Sequence, residues 1–181
     1  MKSDVSQKAS QIVSALQRLK DKDDRKALAD LRGGLSEAKE YKTWPYIMEW
    51  CDLNNARMKT IVTTFAAIFA VHQNHVEGYG SFGKSIRTMA LLKNKNSGIP
   101  EALECYLRHI NKIMACDSSL DLCTRLPFYA RMLKNEGVPI DYVALYEDII
   151  YWGGTQHISK IKWMTDYKKG GSNVPDKNID K

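Results

Sequence analysis

The residues with the most specific chemical spacing are Gly78-Tyr79-Gly80-Ser81-Phe82-Gly83-Lys84-Ser85, a formal match to the phosphate-cradling pattern GxxxxGK[ST]. Such a loop works when a buried strand delivers its backbone N–H groups, together with a helix N-terminus, to a triphosphate. Here the preceding residues are His72-Gln73-Asn74-His75-Val76-Glu77, the polar end of a helical pattern. Nor is there an apolar run ending in an aspartate that could hold a metal. The glycines therefore read as a helix break, with Ser81 as the cap of the next helix. A P-loop nucleotide-binding enzyme built on residues 78–85 is kept as the alternative.

Other combinations are weaker. His72 and His75, three apart in a helical pattern, could offer two metal ligands, but a site usually wants three or four. His72 falls on the apolar face and reads as a hydrogen-bonded core histidine, so no metal or cofactor is expected. Cys116 and Cys123 lie one heptad apart with no histidine near them in sequence, and read as small buried hydrophobes. Asp141, Glu147 and Asp148 could form a carboxylate pair. A helix cap followed by a solvated face accounts for them more simply.

The basic residues fall at helical spacings. Lys84, Arg87 and Lys95 come near one face if the helix after Ser81 persists. Arg108 and Lys112 are four apart, Arg131 and Lys134 three apart, and Lys160 and Lys162 sit beside Trp163. Residues 81–169 hold 13 Lys/Arg against 9 Asp/Glu, whereas residues 1–80 hold 12 against 10, so the cationic surplus leans to the second half. Taken alone, this spacing also suits a solvated surface with pairs such as Glu104 with Arg108 and Asp121 with Arg125.

The elements that must position these groups are helical throughout. Val5, Ile12, Val13, Leu16 and Leu19 mark a first helix, and Asp23 or Asp24 caps a second that stops at Gly33-Gly34. Residues 35–42 read as a polar loop, and Thr43-Trp44-Pro45 starts a short helix with proline in its first turn. The longest helix is expected from Asn54 to about Glu77, with Phe65 and Phe69 on its apolar face. Lys93–Pro100 is polar and contains Gly and Pro, the best candidate for a boundary between lobes. A helix from about Glu101 to Cys116 follows, and Asp117 is expected to cap the next. Leu122, Leu126, Tyr129 and Leu133, then Tyr142, Leu145, Tyr146 and Ile149, recur at helical spacing on either side of Gly137-Val138-Pro139-Ile140-Asp141. Pro127 should kink its helix. A basic, aromatic helix follows Gly153-Gly154. The fold class is all-α: two small helical-bundle lobes of about eight to nine helices, spanning 1–95 and 96–169, with a disordered tail at 170–181.

In this order the chain resembles the CasB family, the small subunit of the type I-E CRISPR Cascade surveillance complex. The resemblance runs through Ala29-Asp30-Leu31-Arg32-Gly33-Gly34, Thr43-Trp44-Pro45-Tyr46 and Ser81-Phe82-Gly83-Lys84-Ser85-Ile86-Arg87. It continues through Ala130-Arg131-Met132-Leu133 and Pro139-Ile140-Asp141-Tyr142 to Glu147-Asp148-Ile149-Ile150-Tyr151-Trp152. It implies a non-catalytic subunit that pairs head to tail, contacts the backbone and large subunits, and holds crRNA-paired target DNA and the displaced strand on its basic surface. The cations implied by position are Arg32, Lys84, Arg87, Arg131, Lys160 and Lys162, with Arg108, Lys134 and Lys168 in addition. The chain departs from the family where Gly33 replaces a frequent second basic residue and where Pro127 enters a helix.

Composition agrees with a globular partner of acidic molecules. The chain has 181 residues, 44% apolar content and a formal net charge of +6. Four cysteines without CxxC spacing, no bilayer-length apolar run and no signal-like start point to a cytoplasmic protein with no membrane contact. A small nuclease and a free-standing helical DNA-binding protein are the remaining competing classes.

Overall fold

The computed structural model describes residues 2–170, so the expected disordered tail at 170–181 lies outside the described residues except for Gly170, which caps the last helix. Among the described residues nine α-helices follow one another: α1 (Lys2–Asp21), α2 (Arg25–Gly33), α3 (Trp44–Ile47), α4 (Ala56–Val71), α5 (Phe82–Lys93), α6 (Ile99–Met114), α7 (Ser119–Asn135), α8 (Tyr142–Ile150) and α9 (Ile158–Lys169). The fold is all-α, as the apolar periodicity predicts. Among the described residues, no helix is long and apolar enough to cross a membrane.

Local chemistry sets most boundaries. Asp24 accepts the Ala27 N–H at the start of α2, and Asp141 accepts the Ala144 N–H at the start of α8. Ser118, not the expected Asp117, caps α7 by accepting the Asp121 N–H. Its β-like backbone (φ −133°) suits an N-cap. The expected polar loop at 35–42 is largely a 3-10 helix over Glu37–Thr43. Thr43 Oγ1 donates to Glu40 O there, tightening the turn into α3. Pro127 sits inside α7, which runs as one helix from Ser119 to Asn135.

The main departure from periodicity is the end of α4. It stops at Val71, six residues before the expected Glu77, because the next residues pair with a distant segment. His75 and Ile140 form an isolated parallel bridge: Ile140 N donates to Asn74 O (3.0 Å) and Val76 N to Ile140 O (3.2 Å). His72 and His75 are therefore not on one helix turn. His72 caps α4, with Nε2 2.7 Å from Val138 O and its carbonyl accepting the Tyr142 hydroxyl. It is the hydrogen-bonded core histidine the sequence suggests, and burial holds its imidazole below the usual pKa.

Packing joins elements that are far apart in sequence. α4 lies on α2 and α7, α1 on α8, and α5 on both α6 and α9. The segments on either side of the 93–100 loop thus contribute to one contiguous apolar core. Phe65, Phe69, Leu126, Leu133, Leu145 and Ile149 are all fully buried within it. Phe65 meets Tyr142 and Tyr146 edge-on at 5.7 and 5.1 Å between ring centroids, which locks α4 against α8.

Candidate nucleic-acid interface

The chain's own groups already occupy the pieces of the GxxxxGKS match. Gly78 and Gly80 have positive φ and turn the chain into α5, but their neighbouring amides face carboxylates. Gly78 N donates to Asp141 Oδ2 (2.8 Å) and Ser81 N to Asp166 Oδ2 (3.3 Å). A nucleotide phosphate would have to displace both anions. Gly83 lies in α5 against the backbone of α9, so close that a Cβ there would stand 2.0 Å from Trp163 O. Ser85 is buried and donates to Pro139 O (2.8 Å). These residues build a helix–helix junction, with no strand before the first glycine among the described residues.

The thiols and carboxylates are also structural. Cys116 and Cys123 are buried, and burial pushes their thiols up to about 11 and about 12, so neither is a ready thiolate. Among the described residues no group of three or more His, Cys, Asp or Glu could hold a metal. Asp148 corrects the expectation of a solvated acidic face. It is 5% exposed and receives Lys162 Nζ (2.8 Å) and Trp163 Nε1 (2.6 Å) from α9. Burial pushes its carboxyl up, while Lys162, Trp163 and Ser159 oppose that shift.

The nine candidate cations divide by environment. Arg87 is buried and donates from Nη1 to Tyr167 O (3.0 Å) and Lys168 O (2.9 Å), the last carbonyls of α9. A helix C-terminus carries unsatisfied acceptors and partial negative charge, and a guanidinium answers both. The expected exposed row of Lys84, Arg87 and Lys95 is therefore not formed, since Arg87 points inward and α5 ends at Lys93. Lys162 is held by Asp148. Lys84 lies over the Tyr79 ring at 5.0 Å and Lys160 over the Trp152 ring at 5.6 Å, each only partly exposed. Arg32 is exposed with Nε donating to Leu28 O.

Arg108, Arg131, Lys134 and Lys168 remain exposed, and among the described residues no ion pair ties them to a carboxylate. Arg108 lies on α6 with exposed Lys112, while Arg131 and Lys134 share α7 with exposed Arg125. By spacing alone Arg125 reads only as an ion-pair partner of Asp121, and the aromatic residues beside it carry no assignment. The signal that could have marked them is the run Arg125-Leu126-Pro127-Phe128-Tyr129-Ala130-Arg131, in which Phe128 stands three residues from an arginine on each side.

A protein-family model described as CRISPR-associated protein Cse2 matches residues 27–167, from α2 to within two residues of the end of α9. No curated protein and no solved structure matches the chain. The matched span contains the α4–α7 and α5–α9 packing, the hydrogen bonds from α9 to Asp148 and every exposed cation on α6 and α7. The chain belongs to the CRISPR-associated Cse2 (CasB) family, the small subunits of type I-E Cascade.

Proposed function

We propose that this chain is a non-catalytic small subunit of a crRNA-guided Cascade complex in the cytoplasm. There it stabilises the pairing of guide RNA with target DNA and holds the displaced strand. The observation that carries the reading is the set of exposed cations on α6 and α7, Arg108, Lys112, Arg125, Arg131 and Lys134, in a chain of the Cse2 family. In guide-directed complexes base pairing reads the sequence, and protein cations supply backbone contacts that tip a near-balanced strand exchange. Cations engaged within the fold, Arg87 and Lys162 above all, serve the subunit's own architecture. The backbone and large subunits and a second copy of this chain are the expected protein neighbours.

The test is charge reversal at Arg108, Arg131 and Lys134 in assembled complexes, with target binding measured across a salt series. Removing one cation from a phosphate should flatten the slope of log K against log salt by about one unit. Affinity should fall nearly equally for all target sequences. Unchanged affinity and slope for all three would refute the interface and leave the subunit a purely architectural part.

A further inference from the structure

Across the α6–α7 junction runs a short series of aromatic rings that starts in the core at Tyr129 and ends on the exposed Phe128. Phe128 is 54% exposed in the middle of α7, although phenylalanine is ordinarily buried. Its ring lies nearly parallel to that of His109 on α6 (19° between planes, centroids 6.5 Å apart), and His109 in turn lies 5.3 Å from Tyr106. Tyr129, edge-on to both Phe128 and His109, braces the step from below by donating its hydroxyl to His109 O (3.1 Å). The rings are thus held in place before anything binds.

Cations surround this step. Burial, and after it the charges of Arg108 and Lys112, hold the His109 imidazole below the usual pKa. Arg125 and Arg131 stand one helical turn before and after Phe128, both exposed. An exposed aromatic face ringed by positive charge suits a stacked base whose phosphates lie alongside. Stacked bases and a cationic track along the backbone occur together where single strands are bound.

We infer that Phe128, supported by His109 and Tyr106, is a stacking platform for an unpaired base of a single-stranded nucleic acid, with the α6 and α7 cations holding its backbone. This rests on the function proposed above and adds to it a recognition mode, base stacking, that a basic surface alone does not supply. The rings give tolerance of sequence, because every base has a π face.

The experiment uses the assembled, target-bound complex with 5-iodouracil placed in turn along the guide, the target strand and the displaced strand. Irradiation should crosslink one strand to the peptide containing Phe128, and the labelled strand identifies the source. Phe128→Leu keeps an apolar side chain but no π face. It should abolish that crosslink and weaken strand retention about tenfold, with the salt slope unchanged. Phe128→Trp should preserve both. Retention equal to wild type in Phe128→Leu, beside a clear loss on reversing Arg108 and Arg131, overturns the platform while the basic face stands. Silence of all these variants overturns both. Failure of Phe128→Leu complexes to assemble, with the isolated chain folded, shows a protein-docking residue and also overturns the platform.

Discussion

Replacing Gly83 with alanine asks whether residues 78–85 are a helix junction or a phosphate loop. In a helix an alanine is favoured over glycine by up to about 1 kcal/mol, so on propensity alone the change should stabilise α5. Against this, the new Cβ would stand 2.0 Å from Trp163 O, whereas ordinary contact begins at 3.4 Å. The backbone of α9 would have to retreat by about 1.4 Å, the difference between those distances. Trp163 has little room to follow. It packs on Phe82 and Trp152 at 5.1 and 4.7 Å and donates to buried Asp148. Overpacking of this kind costs about 1–3 kcal/mol and sometimes more, and the tight surroundings favour the upper end. The net expectation is a loss of about 2 kcal/mol, lowering Tm by about 4–8 °C for a chain of this size. Gly78→Ala is the control. With φ at +73° and nothing within 4 Å, it should lose only about 1 kcal/mol, the cost of left-handed backbone. Thermal unfolding followed by circular dichroism at 222 nm measures both. A Gly83→Ala protein as stable as wild type would refute the close approach of α5 and α9.

Two further outcomes follow from buried titratable groups. Burial holds His72 below its unfolded pKa of about 6.5, so the unfolded chain binds the proton more readily. Its contribution to stability is present above pH ~6.5 and is lost as pH falls towards the folded pKa. Urea midpoints measured from pH 7.5 to 5 should therefore decline more steeply in wild type than in His72→Gln, and parallel curves would contradict the assignment. Of the four cysteines only Cys105 is exposed, so a thiol reagent should label one site rapidly in the native protein and four in urea. Rapid labelling of Cys123 would show that α7 is not packed as described.

The parts of the fold set by local chemistry are legible in the sequence. Leu126, Leu133, Leu145 and Ile149 fall on the buried faces that a 3.6-residue period assigns them, and Asp24 and Asp141 cap the helices they precede. What periodicity cannot supply is which partner arrives from elsewhere. Residues 72–77 are compatible with helix, yet the backbone of 138–140 offers them another set of hydrogen bonds. The interface is legible only as types and spacings. Arg87 and Arg131 look alike in sequence, but one faces the C-terminus of α9 and the other solvent. Asp148 gives no local sign of burial, since its partners lie 14 and 15 residues further on. Exposure of Phe128 likewise runs against its residue type and follows only from how α6 lies beside α7.

The pairing of His75 with Ile140 has a consequence for synthesis. Every residue of α4 from Ile61 to Ala70 is buried in the finished fold, so this largely apolar stretch has no solvent-facing side, while the first turn with Arg57 and Lys59 stays polar. The groups that end it, and part of its cover, belong to residues 138–146, while α7 supplies much of the rest. With 65 residues between His75 and Ile140, residues 138–146 leave the ribosome about 3 to 13 s later at ordinary elongation rates. Until α7 and then these residues emerge, the nascent chain carries an apolar stretch with only its N-terminal neighbours, α1, α2 and α3, to shield it. Slowed translation between codons 80 and 138 should therefore lower the soluble yield, and a chaperone that binds apolar segments should restore it.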